Sequence, residues 1–116
     1  MGATITEKIV SRAIGRNAKA GEFVDTLPVD KLYFNEVIAP PAILNFQRDF
    51  EDIYKEAGKK MQVFDPMRVA FMPDHTVPSC SVMASSGVRL MSDFAKQQGI
   101  AMYKEGDGIE HTIASE

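Results

Sequence analysis

Apolar residues recur at Ile5, Ile9 and Ala13, with Val10 and Ile14 beside them, and this spacing predicts a helix over residues 4–14. Thr4 is placed to cap it, Glu7 three residues later completes a capping box, and Gly15 supplies the positive φ that ends it. Ile43, Phe46, Phe50, Ile53 and Ala57 repeat at alternating spacings of three and four, which predicts a second helix starting at Pro41 or Ala42 and ending at Gly58. Val82 to Gln98 reads as a third helix, with Met83, Leu90, Met91, Phe94 and Ala95 as its apolar contacts and Gly99 as its stop. Gly87 inside it costs about 1 kcal/mol relative to alanine unless close packing requires the missing side chain.

Between the helices lie short runs with strand character: Lys31–Phe34, Met61–Phe64, Arg68–Met72 and Ile100–Tyr103. Residues 16–30 read as a loop with a short extended piece at Glu22–Val24, and turns are expected at Pro40-Pro41, Asp65-Pro66 and Gly106-Asp107-Gly108. Strands alternating with helices predict a layered α/β fold, a mostly parallel short sheet flanked by helices, in one domain over residues 1–116. No internal repeat, low-complexity tract or linker interrupts it.

The 116 residues carry 13 Lys plus Arg against 16 Asp plus Glu, a net charge of −3, and an apolar fraction of 45%, which supports a core and argues against wholesale disorder. The basic residues are dispersed apart from a short patch at Lys8, Arg12, Arg16 and Lys19, so nucleic acid is not an expected partner. No apolar run reaches the roughly 18–20 residues of a membrane span, and Met1-Gly2 does not open a secretory signal, so a cytoplasmic protein is expected. Cys80 is the single cysteine; it can form no internal disulfide, cannot alone hold zinc or an iron-sulfur cluster, and reads as a small packing residue. Met61, Met72, Met91 and Met102 read as core fillers, and Phe46 and Phe50 as helix packing.

Two histidines are the candidates for chemistry. Asp74-His75 follows an apolar strand, and a carboxylate beside an imidazole can orient it or stabilise its charged form. Taken as residues alone, the pair reads first as an ordinary turn and second as an acid–base pair. His111 follows a strand and a glycine turn, and both imidazoles are placed to enter the mouth of an α/β sheet. Glu110 reads as solvent-exposed. A Cys80–His75 nucleophilic pair has no feature to place the two face to face, and two histidines plus Asp74 lack the spacing of a metal site. Gly106-x-Gly108 lacks the third glycine of a dinucleotide fingerprint.

The order of segments, however, resembles the N-terminal part of the aconitase superfamily, in the branch of isopropylmalate dehydratase-type large subunits that also holds homoaconitase-like and dimethylmalate dehydratase-like proteins. Thr4-Ile5-Thr6-Glu7-Lys8-Ile9 is similar to the family's opening helix, and Ala20-Gly21-Glu22-Phe23-Val24 to its following turn and strand. Val29-Asp30-Lys31 through Asn35-Glu36 and Ala39-Pro40 resembles the segment that carries a polar substrate-site residue. Asp74-His75 matches the Asp-His signature, and Gly108-Ile109-Glu110-His111 the Gly-Ile-x-His segment. The motifs are short, but their order and separation run through nearly the whole chain.

The resemblance implies a hydro-lyase that dehydrates and rehydrates a hydroxy di- or tricarboxylic acid on a four-iron, four-sulfur cluster. It implies catalytic roles for Asp74 and His75 on the side of the leaving hydroxyl, a place for His111 in the same cleft, and a substrate contact for Asn35. The family's later Asp-Ser-His region, its three cluster cysteines and the proton-abstracting serine of a swivelling domain or small subunit have no counterpart here. Cys80 matches no cluster ligand, and no metal or cofactor is expected on this chain by itself. The expectation is therefore a piece of a large subunit that is inactive alone, with the rest of that subunit and a small subunit as partners. A noncatalytic binding or assembly module that keeps the fold is the alternative, and exposed apolar surface, left where absent chain would pack, would offer a homo-oligomer contact.

Overall fold

The computed structural model describes residues 2–115; Met1 and Glu116, on which readings of the chain ends bear, lie outside the described residues. The chain divides into two compact units, Met1–Asp30 and Lys31–Glu116.

In the first unit, α1 spans Ile5–Ile14 with the capping box expected at its start. The Thr4 hydroxyl accepts from the Glu7 amide at 3.2 Å, and the Glu7 carboxylate accepts from the Thr4 amide at 2.7 Å. Glu7 also accepts from the Ala20 amide at 3.0 Å, which ties the following loop back to the helix start. Backbone amides dominate the environment of this carboxylate, so its pKa is held below the ordinary glutamate value. Gly15 ends the helix at φ 70°, a conformation that residues with a Cβ rarely adopt. Ile5 and Ile9 stand exposed, and residues 22–24 form no strand.

The second unit is a β-α-β-α-β run: β1 (Leu32–Phe34), α2 (Ala39–Glu56), a 3-10 turn at Pro66–Arg68, β2 (Val69–Phe71), α3 (Val82–Gln98) and β3 (Ala101–Met102), followed by a one-turn helix α4 (Glu110–Ile113). The sheet is wholly parallel in the order β1-β2-β3, with Phe34 in register with Phe71 and Phe71 with Met102. This is the layered α/β arrangement expected. Registered neighbours project to the same face, and on that face Phe71 packs edge-on to Phe34 and stacks on Phe94. Ala39 and Ile43 of α2, Met91, Phe94 and Ala95 of α3, and Ile100 complete the core.

α2 starts two residues before the expected Pro41. Both prolines sit in its first turn, where their missing amides would have had no intrahelical partner. Met61–Phe64 is not a strand: side chains bind its backbone instead. Gln98 accepts from the Val63 amide at 2.8 Å and donates to the Met61 carbonyl at 3.2 Å, and the Tyr54 hydroxyl donates to the Gln62 carbonyl at 2.9 Å. Phe50 is 44% exposed, with its ring packed on Phe46 at a centroid distance of 5.3 Å. Two packing expectations fail: Met83 lies in the outward first turn of α3, and Cys80 is exposed in the loop before it.

A Cβ on Gly87 would lie 3.3 Å from the Pro40 ring and 3.7 Å from the Glu36 carbonyl oxygen, so the glycine lets α3 approach the start of α2. Gly87→Val should therefore destabilise by about 1–3 kcal/mol through overpacking, and Met91→Ala, at the fully enclosed Met91, by about 2–5 kcal/mol. Urea unfolding of the two variants checks both values.

Candidate active site

All three strands run the same way, so their C-terminal ends open on one edge, the place where open α/β sheets bind ligands. Just past β1 come Asn35 and Glu36. Past β2, where the Met72 amide still donates to the Phe34 carbonyl at 2.9 Å, come the buried Pro73 and then Asp74 and His75. From β3 the chain turns through Gly106 and Gly108 into α4, which carries Glu110 and His111. Gly108 takes φ 144°, and a side chain there would run into Ile113 of the same helix. The expected glycine turn is thus followed by a single turn of helix that contains His111.

Asn35, Glu36 and Glu110 are each about 5–6% exposed, and the Asp74 side chain is 4% exposed. The sequence reading of Glu110 as a solvated residue is wrong: its side chain turns inward and accepts from Asn35 Nδ2 at 3.0 Å. Asn35 Oδ1 accepts from the Val37 and Ile38 amides, at 3.1 Å each, and its carbonyl from the Ala39 amide at 2.9 Å. This residue therefore holds the turn that leads into α2, and one Nδ2 hydrogen remains for another partner.

Asp74 uses both carboxylate oxygens. Oδ1 meets His75 Nδ1, and Oδ2 accepts from the Glu110 amide at 2.7 Å. Glu36 accepts from the Asp74 amide at 2.9 Å and from the Thr76 amide. The outcome is that the His75 and His111 rings stand edge to face, centroids 6.0 Å apart and planes at 82°. Both imidazoles are exposed, above a floor of buried carboxylates.

The hydrogen bond to Asp74 raises the pKa of His75 above the ordinary imidazole value; desolvation works against it, while the charges of Asp74, Glu36 and Glu110 add to it. For Glu36, burial pushes the carboxyl up, but the amides of Thr76, Glu36 itself and Asp74 outweigh burial and hold it below the usual range. His75 is thereby favoured as an imidazolium beside fixed anions. One oxygen from each of Glu36 and Asp74 and a His75 nitrogen lie within 4.8 Å of one another, a spacing compatible with a metal ion. Those carboxylates are already engaged with amides and the imidazole, and the arrangement reads as a hydrogen-bond network. Glu36 is a residue the sequence reading misses; the signal for it is its position directly after a parallel strand, next to Asn35.

An open groove of about 740 Å³ runs elsewhere, between α3, β3 and Met67, and includes none of Asn35, Asp74, His75 or His111 in its lining. No described helix is long and apolar enough to cross a membrane.

No family model matches the chain. Curated relatives do. Over its full length the chain is 42% identical to the 3-isopropylmalate dehydratase large subunit of Thermoanaerobacter sp. (strain X514), 39% to that of Methanoregula boonei and 37% to large subunit 1 of Archaeoglobus fulgidus. With the strand-end constellation in place, these similarities put the chain in the aconitase superfamily. Within that superfamily it matches 3-isopropylmalate dehydratase large subunits, and it spans about a quarter of the length of these relatives, 26% in each case.

His75 should titrate above the ordinary imidazole value of about 6.5, and Asp74→Asn should bring it down toward that value; an NMR titration of the ring protons checks both. Because its folded pKa is raised, the stability His75 contributes is complete below about pH 6.5 and is lost as pH rises through the folded value. Thermal melts across that interval should fall in the wild type and flatten in His75→Asn.

Proposed function

We propose that this chain forms the proton-donating wall of an iron-sulfur hydro-lyase, part of a large subunit that dehydrates and rehydrates a hydroxy di- or tricarboxylic acid of the isopropylmalate type. The reading is supported above all by the convergence of Asp74, His75 and His111 on one edge of a parallel sheet, and by the names of the curated relatives. Asp74 holds Nδ1 of His75, which leaves Nε2 as the atom that gives a proton. As the carbon–oxygen bond of the substrate breaks, the hydroxyl takes that proton and departs as water, and in the reverse direction His75 takes it back. His111 lines the same opening and orients the hydroxyl or water. Asn35 offers its remaining Nδ2 hydrogen to a substrate oxygen.

The resemblance also implies a four-iron, four-sulfur cluster. The donor set of this chain does not fit one: Cys80 is its single thiol, where the family uses three cysteines. The cluster's ligands, the carbon-proton base and the cations for the substrate carboxylates fall to sequence outside this chain and to a small subunit. Leucine biosynthesis and a cytoplasmic location accompany this reading. Association of like chains through exposed apolar side chains such as Phe64 and Met67 is a further element of it.

The test is to express the chain with its native flanking sequence and small subunit, reconstitute the iron-sulfur cluster anaerobically, and assay isopropylmalate, homocitrate and dimethylmalate. Dehydration of one of these is expected. His75→Asn should lower kcat by about 10²–10⁴-fold, and the 116-residue chain assayed alone should give no turnover. A reconstituted assembly inert toward all three acids would overturn the proposal in favour of a binding module.

A further inference from the structure

A buried anion needs partners, and Glu36 has two of a particular kind. Its carboxylate reaches from the end of β1 to the loop after β2 and accepts from the amides of Asp74 and Thr76, the residues on either side of His75. Fixing the amide before and the amide after a residue fixes the backbone between them, and with it the direction in which the His75 side chain leaves the chain. Two amide donors require two acceptors on one side chain; a carboxylate provides them, whereas a glutamine in the same place would turn an NH₂ group toward one of the amides. At about 5% exposure, Glu36 is nearly without water to replace either bond.

We propose that Glu36 is the positioning residue of the Asp74–His75 pair, setting the angle at which the imidazole faces His111 and the substrate opening. The functional half of this inference rests on the hydro-lyase reading above; the geometric half does not. Glu36 touches no reacting atom in that reading and acts through the loop it holds. The groups that face His75 are Asp74 in its own loop, Glu36 from the end of β1, and Glu110 and His111 from α4. Removing the charge at Glu36 therefore acts on His75 in two ways: its direction loosens, and one of the anions that favour its protonated form is lost.

The experiment compares Glu36→Gln and Glu36→Asp with wild type and with Glu22→Gln as a control in the other unit. In the chain itself, amide hydrogen exchange and the nuclear Overhauser contact between the His75 and His111 rings are followed by NMR. Glu36→Gln should speed exchange at Asp74 or Thr76 by tenfold or more and weaken the ring contact, with the amides of Met91 and Phe94 unchanged. Glu36→Asp keeps the charge but is one methylene too short to span both amides, so it should show the same local loosening; it also decides the matter if the glutamine variant does not fold. In the reconstituted hydro-lyase, Glu36→Gln should lower kcat tenfold or more with KM within twofold and move the alkaline limb of the pH profile toward lower pH. A merely structural residue would leave that limb in place. Wild-type exchange and ring contact in both variants would overturn the proposal, as would an unchanged kcat. An inert wild-type assembly would count against the hydro-lyase reading alone, and the exchange data would then decide the role of Glu36.

Discussion

Buried carboxylates are costly unless hydrogen-bond donors answer them, and three of them, Glu36, Asp74 and Glu110, meet where the parallel strands end. Backbone amides and the Asn35 amide answer them, and His75 is the only cationic side chain paired with any of the three among the described residues. The two imidazoles depend on this arrangement for their placement. Glu36 fixes the loop after β2, Asp74 joins that loop to α4, and Glu110 joins α4 back to the end of β1 through Asn35. The network thus closes a ring through the end of β1, the loop after β2 and α4, and losing one member would leave donors or acceptors unpaired in the others.

Its charge also says what the site lacks. The recorded Arg and Lys ion pairs of the second unit, such as Arg68 with Asp65, Lys55 with Glu51 and Arg89 with Asp93, lie apart from the network. A floor of carboxylates repels anions, so on the proposed reading an acid substrate calls for positive charge from elsewhere in an assembly.

What the sequence made legible follows from local chemistry. The capping box of Thr4 and Glu7, the stops at Gly15 and Gly99, and the three-four spacing of α2 and α3 are signals contained within a few residues, and they became the observed elements. Asp74, His75 and His111 were marked by residue type and by their position after strands. Signals that depend on distant partners were not legible. Met61–Phe64 has strand composition, but Gln98, 35 residues beyond Val63, takes up the hydrogen bonds a neighbouring strand would have made. Glu110 looks like a solvated charge until Asn35, 75 residues away, is brought against it. Met83 was read as an apolar contact of its helix yet lies on the outward side, because periodicity marks a stripe and not which part of it finds a partner.

The two imidazoles are mounted very differently. His75 sits in a loop clamped at both neighbouring amides, whereas His111 rides on a helix of four residues. That short helix is held to the sheet through Glu110, whose amide donates to Asp74 and whose carboxylate accepts from Asn35. The two rings are therefore referred to one another through buried carboxylates and not through each other, and a molecule approaching them would meet a pair whose spacing is set from beneath.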